Sequence, residues 1–429
     1  MIKKVASAKS LKGELSLPPD KSISQRAAIF SLLHEGASEV GNYSSAQDPQ
    51  STLSCVQQLG AEVHTEGEKL IINGAGRKGI ITPSKDLDCG NSGTAMRLLS
   101  GVLAGAGVST KLVGDASLSK RTMTRIIQPL EQMGAHILAR NSAYAPLFIN
   151  RNEPLKPLKF ELPIPSAQLK SCILLAGLFG EELTQVIEVL PSRDHTERLL
   201  GLDQKVVQHR KIISASLADE IPNQSYTIPG DFSAAAFWLV AGAIQEHAEI
   251  LIRNVGLNPT RNALLKILAE MGADISIENE RMEGAEPAGD IVVKGSDLKA
   301  IEIDPKIIPN CIDELPVIAV AMLFAEGTSV ISGADELRHK ETDRIMAISK
   351  MLKAVRATFE EQEDGLIIHG DPEFTFNSAT FESFHDHRIA MAAAVLSLKG
   401  TGESKIRDAE CAAVSYPTFW EDIRQLQVH

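Results

Sequence analysis

Two short segments of the sequence bring cations together with hydrogen-bond donors. Lys21, Ser22 and Arg26 fall within six residues, so two cations can flank one anion while a hydroxyl donates to it. The segment 114–125 holds three further cations, among them Arg121, whose planar guanidinium can bind a carboxylate through two hydrogen bonds. Side chains of these types, at this spacing, are suited to binding anions.

Two further segments add carboxylates. Residues 337–344 mix basic and acidic side chains, and the spacing of Lys340 and Arg344 predicts that both lie on one helical face. A carboxylate among such cations, as at Glu341, is ionised and ready for proton transfer. Residues 313–314, Asp-Glu, open an apolar run, where one carboxylate can cap a helix and point its other oxygen at a ligand hydroxyl.

Together the four segments indicate a pocket for a multiply anionic substrate, with two carboxylates beside it. Taken singly, each segment is also compatible with ordinary helix capping or with a solvated, salt-bridged helix start.

The four segments belong to a sixfold repeat. Six times, a polar or acidic residue precedes a nearly all-apolar run of helical character, and successive runs begin 65 to 82 residues apart. Asp, Asn and Ser are good N-caps, and a helix that is apolar all round belongs in a core. The six runs open at Asp20, Asn91, Ser166, Asp231, Asp313 and Asp386.

The repeat also predicts how the charged side chains come together. If six such helices lie parallel, three to a domain, their N-termini present free N–H groups and positive dipole ends at one face. Cations near the helix starts would add formal charge there, although any one of them alone could be an ordinary surface group. These cations are Lys21, Arg26, Arg97, Lys170 and Arg388.

A second signature predicts the elements between these helices. Leu-Gly-Ala or Met-Gly-Ala ends an amphipathic helix and starts a β-rich segment at 59–61, 133–135 and 271–273. Short runs of branched residues predict strands at 69–73, 250–255 and 365–369. The fold class is therefore α/β or α+β, with two helices and several strands in each repeat.

Composition excludes several classes of protein. The 429 residues include 43 basic and 55 acidic side chains, and the net charge of −12 argues against binding nucleic acid or an anionic membrane. Five cysteines without a CxxC pair argue against a disulfide framework or a zinc site. The start lacks an apolar run, and the longest apolar stretches reach about half of the roughly 20 residues that span a membrane. We therefore expect a cytoplasmic protein with no metal and no cofactor.

Five motifs resemble those of the 3-phosphoshikimate 1-carboxyvinyltransferase family of enolpyruvyl transferases, also called 5-enolpyruvylshikimate-3-phosphate (EPSP) synthases. They occur in the family's order, and the resemblance extends from about Leu11 to Trp420. The motifs are DKSISQR at 20–26, GNSGTAMR at 90–97, PSAQLKS at 165–171, LRHKETDR at 337–344 and DHRIAM at 386–391.

The resemblance implies a two-domain, inside-out α/β barrel made of six βαβαββ repeats, three per domain. The first domain would span residues 21–230 and the second residues 1–20 plus 231–429, with the active site in the cleft between them. The implied reaction transfers the enolpyruvyl group of phosphoenolpyruvate to the 5-hydroxyl of shikimate-3-phosphate through a tetrahedral intermediate, in the pathway to chorismate and aromatic amino acids. The implied partners are these two small molecules, and the protein is expected to be a monomer.

Carried over to matching positions, the resemblance implies roles for single residues. Asp313 would be the base on the attacking hydroxyl, and Glu341, with Lys21, would transfer protons to and from the methylene carbon. Shikimate-3-phosphate would be held by Lys21, Ser22, Arg26, Ser166, Ala167, Gln168, Arg193, Asp313 and Lys340. Phosphoenolpyruvate would be held by Lys21, Gly93, Thr94, Arg121, Gln168, Arg344 and Arg388.

Two details distinguish this sequence within the family. Many members carry a lysine near the C-terminus, whereas residues 411–418 contain none. Gly93 leaves room where a methyl group would intrude, so inhibition by glyphosate is predicted.

The nearest alternative, a UDP-N-acetylglucosamine enolpyruvyl transferase, relies on a loop cysteine that residues 115–121 lack. A non-catalytic, phosphometabolite-binding regulator on the same scaffold is the other alternative.

Overall fold

The computed structural model describes residues 1–151, 153–223 and 225–428. Asn152, Gln224 and His429, which fall inside the predicted domain spans, lie outside the described residues. The α-helices are α1 (Lys21–Leu33), α2 (Gln47–Gln58), α3 (Gly76–Gly79), α4 (Gly93–Ala106), α5 (Thr124–Gln132), α6 (Ala167–Gly177), α7 (His195–Leu200), α8 (Phe232–Ile244), α9 (Ala263–Glu270), α10 (Leu315–Leu323), α11 (Arg344–Ala354), α12 (His387–Leu398) and α13 (Phe419–Leu426).

Short strands alternate with these helices along the chain. They are β1 (Ile2–Val5), β2 (Ser10–Ser16), β3 (Glu35–Gly41), β4 (Glu62–Glu66), β5 (Lys69–Ala75), β6 (Leu87–Asp88), β7 (Thr110–Val113), β8 (His136–Arg140), β9 (Tyr144–Asn150), β10 (Lys159–Glu161), β11 (Thr184–Glu188), β12 (Gln204–Val207), β13 (Arg210–Ala215), β14 (Ser225–Thr227), β15 (Glu249–Gly256), β16 (Asp274–Glu283), β17 (Glu286–Lys294), β18 (Gly327–Ile331), β19 (Phe359–Glu361), β20 (Leu366–Gly370), β21 (Thr380–Glu382), β22 (Ser404–Arg407) and β23 (Gln427–Val428).

The chain divides into two compact units, each with its own hydrophobic core. The 19–228 unit contains Pro19–Ile228 and Met282–Glu286. The 229–429 unit contains Met1–Pro18, Pro229–Arg281 and Pro287–His429. Among the helices of the described residues, none has the length and apolar character needed to cross a membrane.

The 19–228 unit repeats one sheet topology three times. Its sheets have the orders β14-β3-β5-β4, β6-β7-β9-β8 and β10-β11-β13-β12. In each sheet the first pair of strands is parallel and the next two pairs are antiparallel. The second and third repeats read βαβαββ along the chain, whereas the first takes its opening strand, β14, from the end of the unit.

The 229–429 unit follows the same plan with strands from both ends of the chain. Its sheets have the orders β16-β17-β15-β2-β23, β18-β20-β19 and β1-β22-β21. Parallel pairs form between β2 and β15 and between β21 and β22. Two isolated parallel bridges join Lys299 to Glu326, directly before β18, and Glu302 to Val330 in β18. The predicted fold class and its βαβαββ repeats are confirmed.

The nearly all-apolar helices form the inside of each unit. Every residue of α8, α10 and α12 is buried, and these three helices pack against one another. In the 19–228 unit α4 packs against α1 and α6. Gly101 permits the close approach of α4 to α6, because a Cβ there would lie 2.2 Å from the carbonyl oxygen of Cys172. Helices inside and sheets outside give the predicted inside-out arrangement.

Four of the six predicted N-caps have the expected geometry. The side chains of Asp20, Ser166, Asp231 and Asp386 each accept a hydrogen bond from a backbone N–H of the first helical turn. The prediction is wrong for Asn91, because α4 begins two residues later and Ser92 accepts from the N–H of Ala95.

The prediction is also wrong for Asp313. Helix α10 begins at Leu315 without a side-chain cap, and its second residue, Pro316, has no N–H to offer one. The Asp313 carboxylate instead bonds a guanidinium.

Lys340 and Arg344 do not share a helical face, so that prediction is wrong as well. The Asp343 side chain accepts from the N–H of Met346, which makes Asp343 the N-cap and Arg344 the first residue of α11. Lys340 lies before the helix in extended backbone, with φ −86° and ψ −156°.

Candidate active site

Polar contacts join the N-terminal ends of the three central helices in the 229–429 unit. The Ser233 hydroxyl, in the first turn of α8, donates to Glu314 at the start of α10. From the first turn of α12, Arg388 donates to the backbone carbonyl of Asp313 at 3.1 Å. The predicted convergence of helix N-termini is therefore present in this unit.

Arg344 lies at the centre of this site and is 1% exposed. Its Nη1 donates to Asp313 Oδ1 at 3.1 Å, its Nη2 to Glu341 Oε2 at 2.6 Å, and its Nε to Asp386 Oδ2 at 2.8 Å. Burial alone would lower the pKa of Arg344, but the three carboxylates outweigh burial and raise it above its usual value. The guanidinium is thus permanently charged and holds both candidate proton-transfer carboxylates.

Two more cations of the same unit lie beside Asp313. Arg388 Nη2 is 3.4 Å from Asp313 Oδ2, and its Nη1 is 3.7 Å from Glu314 Oε1. Burial lowers the pKa of Lys340, against the opposing field of Asp313 and with the help of Arg344. The structure thus brings together all five predicted site residues of this unit: Asp313, Lys340, Glu341, Arg344 and Arg388.

The 19–228 unit carries a second polar cluster at the start of its own central helices. Lys21, the first residue of α1, bonds Asp48 Oδ2 at 3.1 Å. Gln25 is fully buried and donates to Ser92 Oγ at 2.6 Å and to Thr52 Oγ1 at 2.9 Å. These contacts tie the N-terminal part of α1 to α2 and to the N-cap of α4.

Helices α4 and α6 meet through a chain of hydrogen bonds at their first turns. Gln168 accepts from Arg97 Nη1 at 2.6 Å and donates to Thr94 Oγ1 at 2.8 Å. A Cβ on Gly93 would lie 2.7 Å from Arg97 Nη1 and 3.5 Å from Arg121 Nη1. Two guanidinium groups therefore flank the backbone at Gly93, and Arg121 is held there by a 2.8 Å bond to Asn91 Oδ1.

Arg26 forms the far side of this cluster. Its guanidinium donates to Thr196 Oγ1 at 2.8 Å, to Ser171 Oγ at 3.1 Å and to the carbonyl of Ser22 at 3.1 Å. Burial lowers the pKa of Arg26 to about 10, despite the opposing carboxylates of Glu197 and Asp20, and Arg193 lowers it further.

The remaining predicted residues lie on the same helix starts. Ser166 is the N-cap of α6, Ala167 is its first residue, and Arg193 lies two residues before α7. Among the described residues, no group of three or more His, Cys, Asp or Glu side chains is placed to hold a metal ion.

Sequence reasoning missed the acidic partners of the predicted cations. Asp386 was expected to be a cap and no more, yet it also binds Arg344 through a fully buried pair. Asp48, the partner of Lys21, lies in the first turn of a different helix, and no spacing rule connects it to residue 21. Arg97 could be recognised from the sequence, because it is one of the cations near the predicted helix starts.

Comparison with known proteins identifies the family of this chain. The family model for EPSP synthase (3-phosphoshikimate 1-carboxyvinyltransferase) matches residues 5–423. The chain belongs to the EPSP synthase family. The predicted family and the predicted enzyme class, a 3-phosphoshikimate 1-carboxyvinyltransferase, are confirmed.

Relatives match over their full length. A 3-phosphoshikimate 1-carboxyvinyltransferase from Salinibacter ruber is 49% identical over 431 residues, covering 100% of both chains. One from Herpetosiphon aurantiacus is 46% identical and covers 99% of both. Their names are those of the predicted EPSP synthase family and not of the sugar-nucleotide alternative.

Solved structures agree with this assignment. An EPSP synthase from Acinetobacter baumannii has a TM-score of 0.87 and 39% identity, covering 99% of this chain and 98% of that chain. The enolpyruvyl transferase NikO from Streptomyces tendae has a TM-score of 0.77 at 14% identity, covering 99% and 97%, and supports the fold alone.

Proposed function

We propose that this chain transfers the enolpyruvyl group of phosphoenolpyruvate to the 5-hydroxyl of shikimate-3-phosphate and that the two polar clusters perform the reaction. The observation that carries the assignment of roles is the Arg344 cluster, in which one buried guanidinium bonds both Asp313 and Glu341. Two carboxylates around a fixed cation provide the proton-transfer groups that such a transfer requires.

The substrate ligands follow the predicted residues. Shikimate-3-phosphate is held by Lys21, Ser22, Arg26, Ser166, Ala167, Gln168, Arg193, Asp313 and Lys340, and phosphoenolpyruvate by Lys21, Gly93, Thr94, Arg121, Gln168, Arg344 and Arg388. Both substrates are polyanions, so the fixed guanidinium groups and helix N-termini stabilise them and the charge that develops between them. These proposed ligands belong to both units.

In the addition step, Asp313 accepts the proton of the 5-hydroxyl while that oxygen forms a bond to the central carbon of phosphoenolpyruvate. The π electrons of the double bond take a proton from Glu341 at the methylene carbon, which becomes a methyl group. Arg344 and Arg388 favour the charged form of Asp313 before the step, as a base requires.

Glu341 must carry a proton to act as the acid, although it is bonded to Arg344. The incoming carboxylate of phosphoenolpyruvate competes for Arg344, and its negative charge favours proton uptake by a neighbouring carboxylate. Substrate binding thereby prepares the acid.

In the elimination step the methyl group returns a proton to Glu341, assisted by Lys21. The electron pair of that C–H bond forms the new double bond, and the bond to the phosphate oxygen breaks. Inorganic phosphate leaves with the proton that Asp313 took from the 5-hydroxyl, so Asp313 and Glu341 both return to their starting states. The enolpyruvyl ether remains on the shikimate-3-phosphate oxygen. This scheme uses side chains alone, and we propose that the protein works as a cytoplasmic monomer.

The test is phosphate release by the purified protein with both substrates, with each omitted in turn, and with Asp313→Ala as the control. Release that needs both substrates and is lost in the variant supports the proposal. Binding of shikimate-3-phosphate without any release would favour the regulator, and activity only with UDP-N-acetylglucosamine would favour the other transferase.

A further inference from the structure

Lys170 does not contribute to the anion-binding face where the sequence analysis placed it. Its side chain is fully buried, with Nζ 2.9 Å from Glu188 Oε1 and 2.8 Å from Glu197 Oε1. Both carboxylates are also buried, with side-chain exposures of 1% and 0%. The expectation of a free cation is wrong here, because two acidic groups from β11 and α7 occupy the ammonium.

A buried ion pair often adds little to the free energy of unfolding. A role for this pair must therefore come from the residues that it contacts. The Glu188 carboxylate accepts from the backbone N–H of Ser192 at 3.2 Å and also from the Ser192 hydroxyl. Lys170 Nζ donates to the carbonyl of Ser192 at 3.4 Å. Lys170 and Glu188 thus hold every polar group of Ser192, the residue directly before Arg193.

The second partner of Lys170, Glu197, connects it with Arg26 through helix α7. Glu197 belongs to α7, as does Thr196, whose Oγ1 accepts from Arg26 Nε. Ser171, next to Lys170 on α6, lies 2.6 Å from Thr196 Oγ1 and accepts from Arg26 Nη2. The Lys170–Glu197 pair therefore fixes α7 against α6 at the point where both helices hold the Arg26 guanidinium.

We propose that Lys170, through Glu188 and Glu197, is a positioning residue that holds Arg193 and Arg26 in place to bind shikimate-3-phosphate. This inference rests on the proposed function. Lys170 acts only through its neighbours, because its ammonium has no exposed surface. Contacts that support the ligand-binding side chains from behind keep them within the small tolerance that recognition needs.

The test is Lys170→Met, which removes the charge and keeps the side-chain length. We expect the KM for shikimate-3-phosphate to rise by about tenfold or more, the usual scale for a displaced binding group, and the KM for phosphoenolpyruvate to stay within about twofold. Lys211→Met is the matched control, because Lys211 also bonds Glu197 Oε1, at 3.3 Å, but is 25% exposed and lies on β13.

Loss of Lys170 leaves two buried carboxylates with less compensation, so the variant could fail to fold. The double variant Lys170→Met/Glu188→Gln removes one positive and one negative charge, leaves the Glu197–Lys211 pair, and should show the same selective rise in KM. Circular dichroism checks that each variant is folded.

Unchanged KM values in the folded Lys170 variants, or equal rises in the KM values for both substrates, would overturn the inference. If the unmodified protein releases no phosphate, the proposed function fails. Calorimetric binding of shikimate-3-phosphate to the same variants then still decides the role of Lys170.

Discussion

At the residue scale, two guanidinium groups of the site each contact several carboxylates. Arg344 alone bonds Asp313, Glu341 and Asp386, and Arg388 adds contacts to Asp313 and Glu314. A bound polyanion therefore has to compete with resident carboxylates for each guanidinium.

The first prediction concerns the proposed acid. Glu341→Gln keeps an oxygen that can accept from Arg344 but cannot deliver a proton, so kcat should fall by about 10²- to 10⁴-fold. The KM for phosphoenolpyruvate should change far less. Steady-state phosphate release measures both values. The exposed Glu326→Gln in the same unit should leave kcat unchanged, and a Glu341 variant with near-normal kcat would remove this residue from the mechanism.

The second prediction concerns Gly93. In Gly93→Ala the new methyl group would lie 2.7 Å from Arg97 Nη1, so that guanidinium must move. We expect the unmodified protein to be inhibited by glyphosate below the millimolar range, and the inhibition constant of the variant to rise by about tenfold or more.

Gly41→Ala is the control for this substitution. Its Cβ would meet an ordinary contact at 3.6 Å, so inhibition should be unchanged. An inhibition curve of the unmodified protein that stays flat up to millimolar glyphosate would refute the idea that Gly93 leaves room for it.

The third prediction is a dependence of substrate binding on pH. Burial lowers the pKa of Lys340 and lowers that of Arg26 to about 10. Both groups bind shikimate-3-phosphate only as cations, so binding is complete below these pKa values and is lost as pH rises through them. The KM for shikimate-3-phosphate should therefore rise as pH increases toward about 10, the pKa of Arg26.

The pKa of Arg344 is raised, so the KM for phosphoenolpyruvate should rise less over the same range. Kinetics across this pH range with each substrate varied in turn provide the measurement. Parallel increases in the two KM values would contradict the assignment of Lys340 and Arg26 to one substrate.

The sequence identified single residues better than it identified their partners. The motif containing Lys340 and Glu341 predicted side chains that the structure brings together around Arg344, because residue types indicate which groups bind anions or transfer protons. The partners of Lys170 and Lys21 come from other helices and strands, and neither spacing nor periodicity in one segment specifies such contacts. Lys170 was therefore mistaken for a ligand-binding cation.

At the element scale, helix starts place most of the site. Ser92 and Ser166 cap α4 and α6, whose first turns carry Thr94 and Gln168, and the latter two bond each other. Most of the caps were predictable because Asp, Ser and Asn before an apolar run satisfy free N–H groups, although α4 is capped by Ser92 and not by the predicted Asn91. The exception at α10 arose because Pro316 removes a donor, which shows that a cap also depends on the residues after it.

The fourth prediction concerns Asp386, which both caps α12 and pairs with Arg344. Asp386→Ala removes a fully buried partner of a buried cation, so the free energy of unfolding should fall by about 3–5 kcal/mol. Urea unfolding measures this loss. Asp304→Ala removes an exposed cap, bonded to the N–H of Lys306, and should cost about 1 kcal/mol. Equal losses would mean that the buried pair adds nothing to capping.

At the scale of the whole molecule, six repeats form two hydrophobic cores, although the strands of one repeat are not always consecutive in the chain. Strand β14 completes the first repeat of the 19–228 unit, and β1 and β2 complete sheets of the 229–429 unit. The sequence predicted the number of repeats because apolar helices recur at near-constant spacing. Which distant strand closes each sheet could not be predicted, because strand pairing between chain ends leaves no periodic signal.

The last prediction tests whether one substrate engages both units. Proposed ligands of shikimate-3-phosphate include Arg26 in one unit and Lys340 in the other, so its binding should stabilise both cores. At 100 times the dissociation constant, a ligand adds about 2.7 kcal/mol, which slows exchange through unfolding by about 100-fold. Hydrogen exchange followed by mass spectrometry should therefore slow in α1 and α6 and also in α11. In Lys340→Met, shikimate-3-phosphate should still slow exchange in α1 and α6 but should lose its effect on α11. Slowing limited to the 19–228 unit in the unmodified protein would mean that shikimate-3-phosphate binds that unit alone and would contradict the proposed role of Lys340.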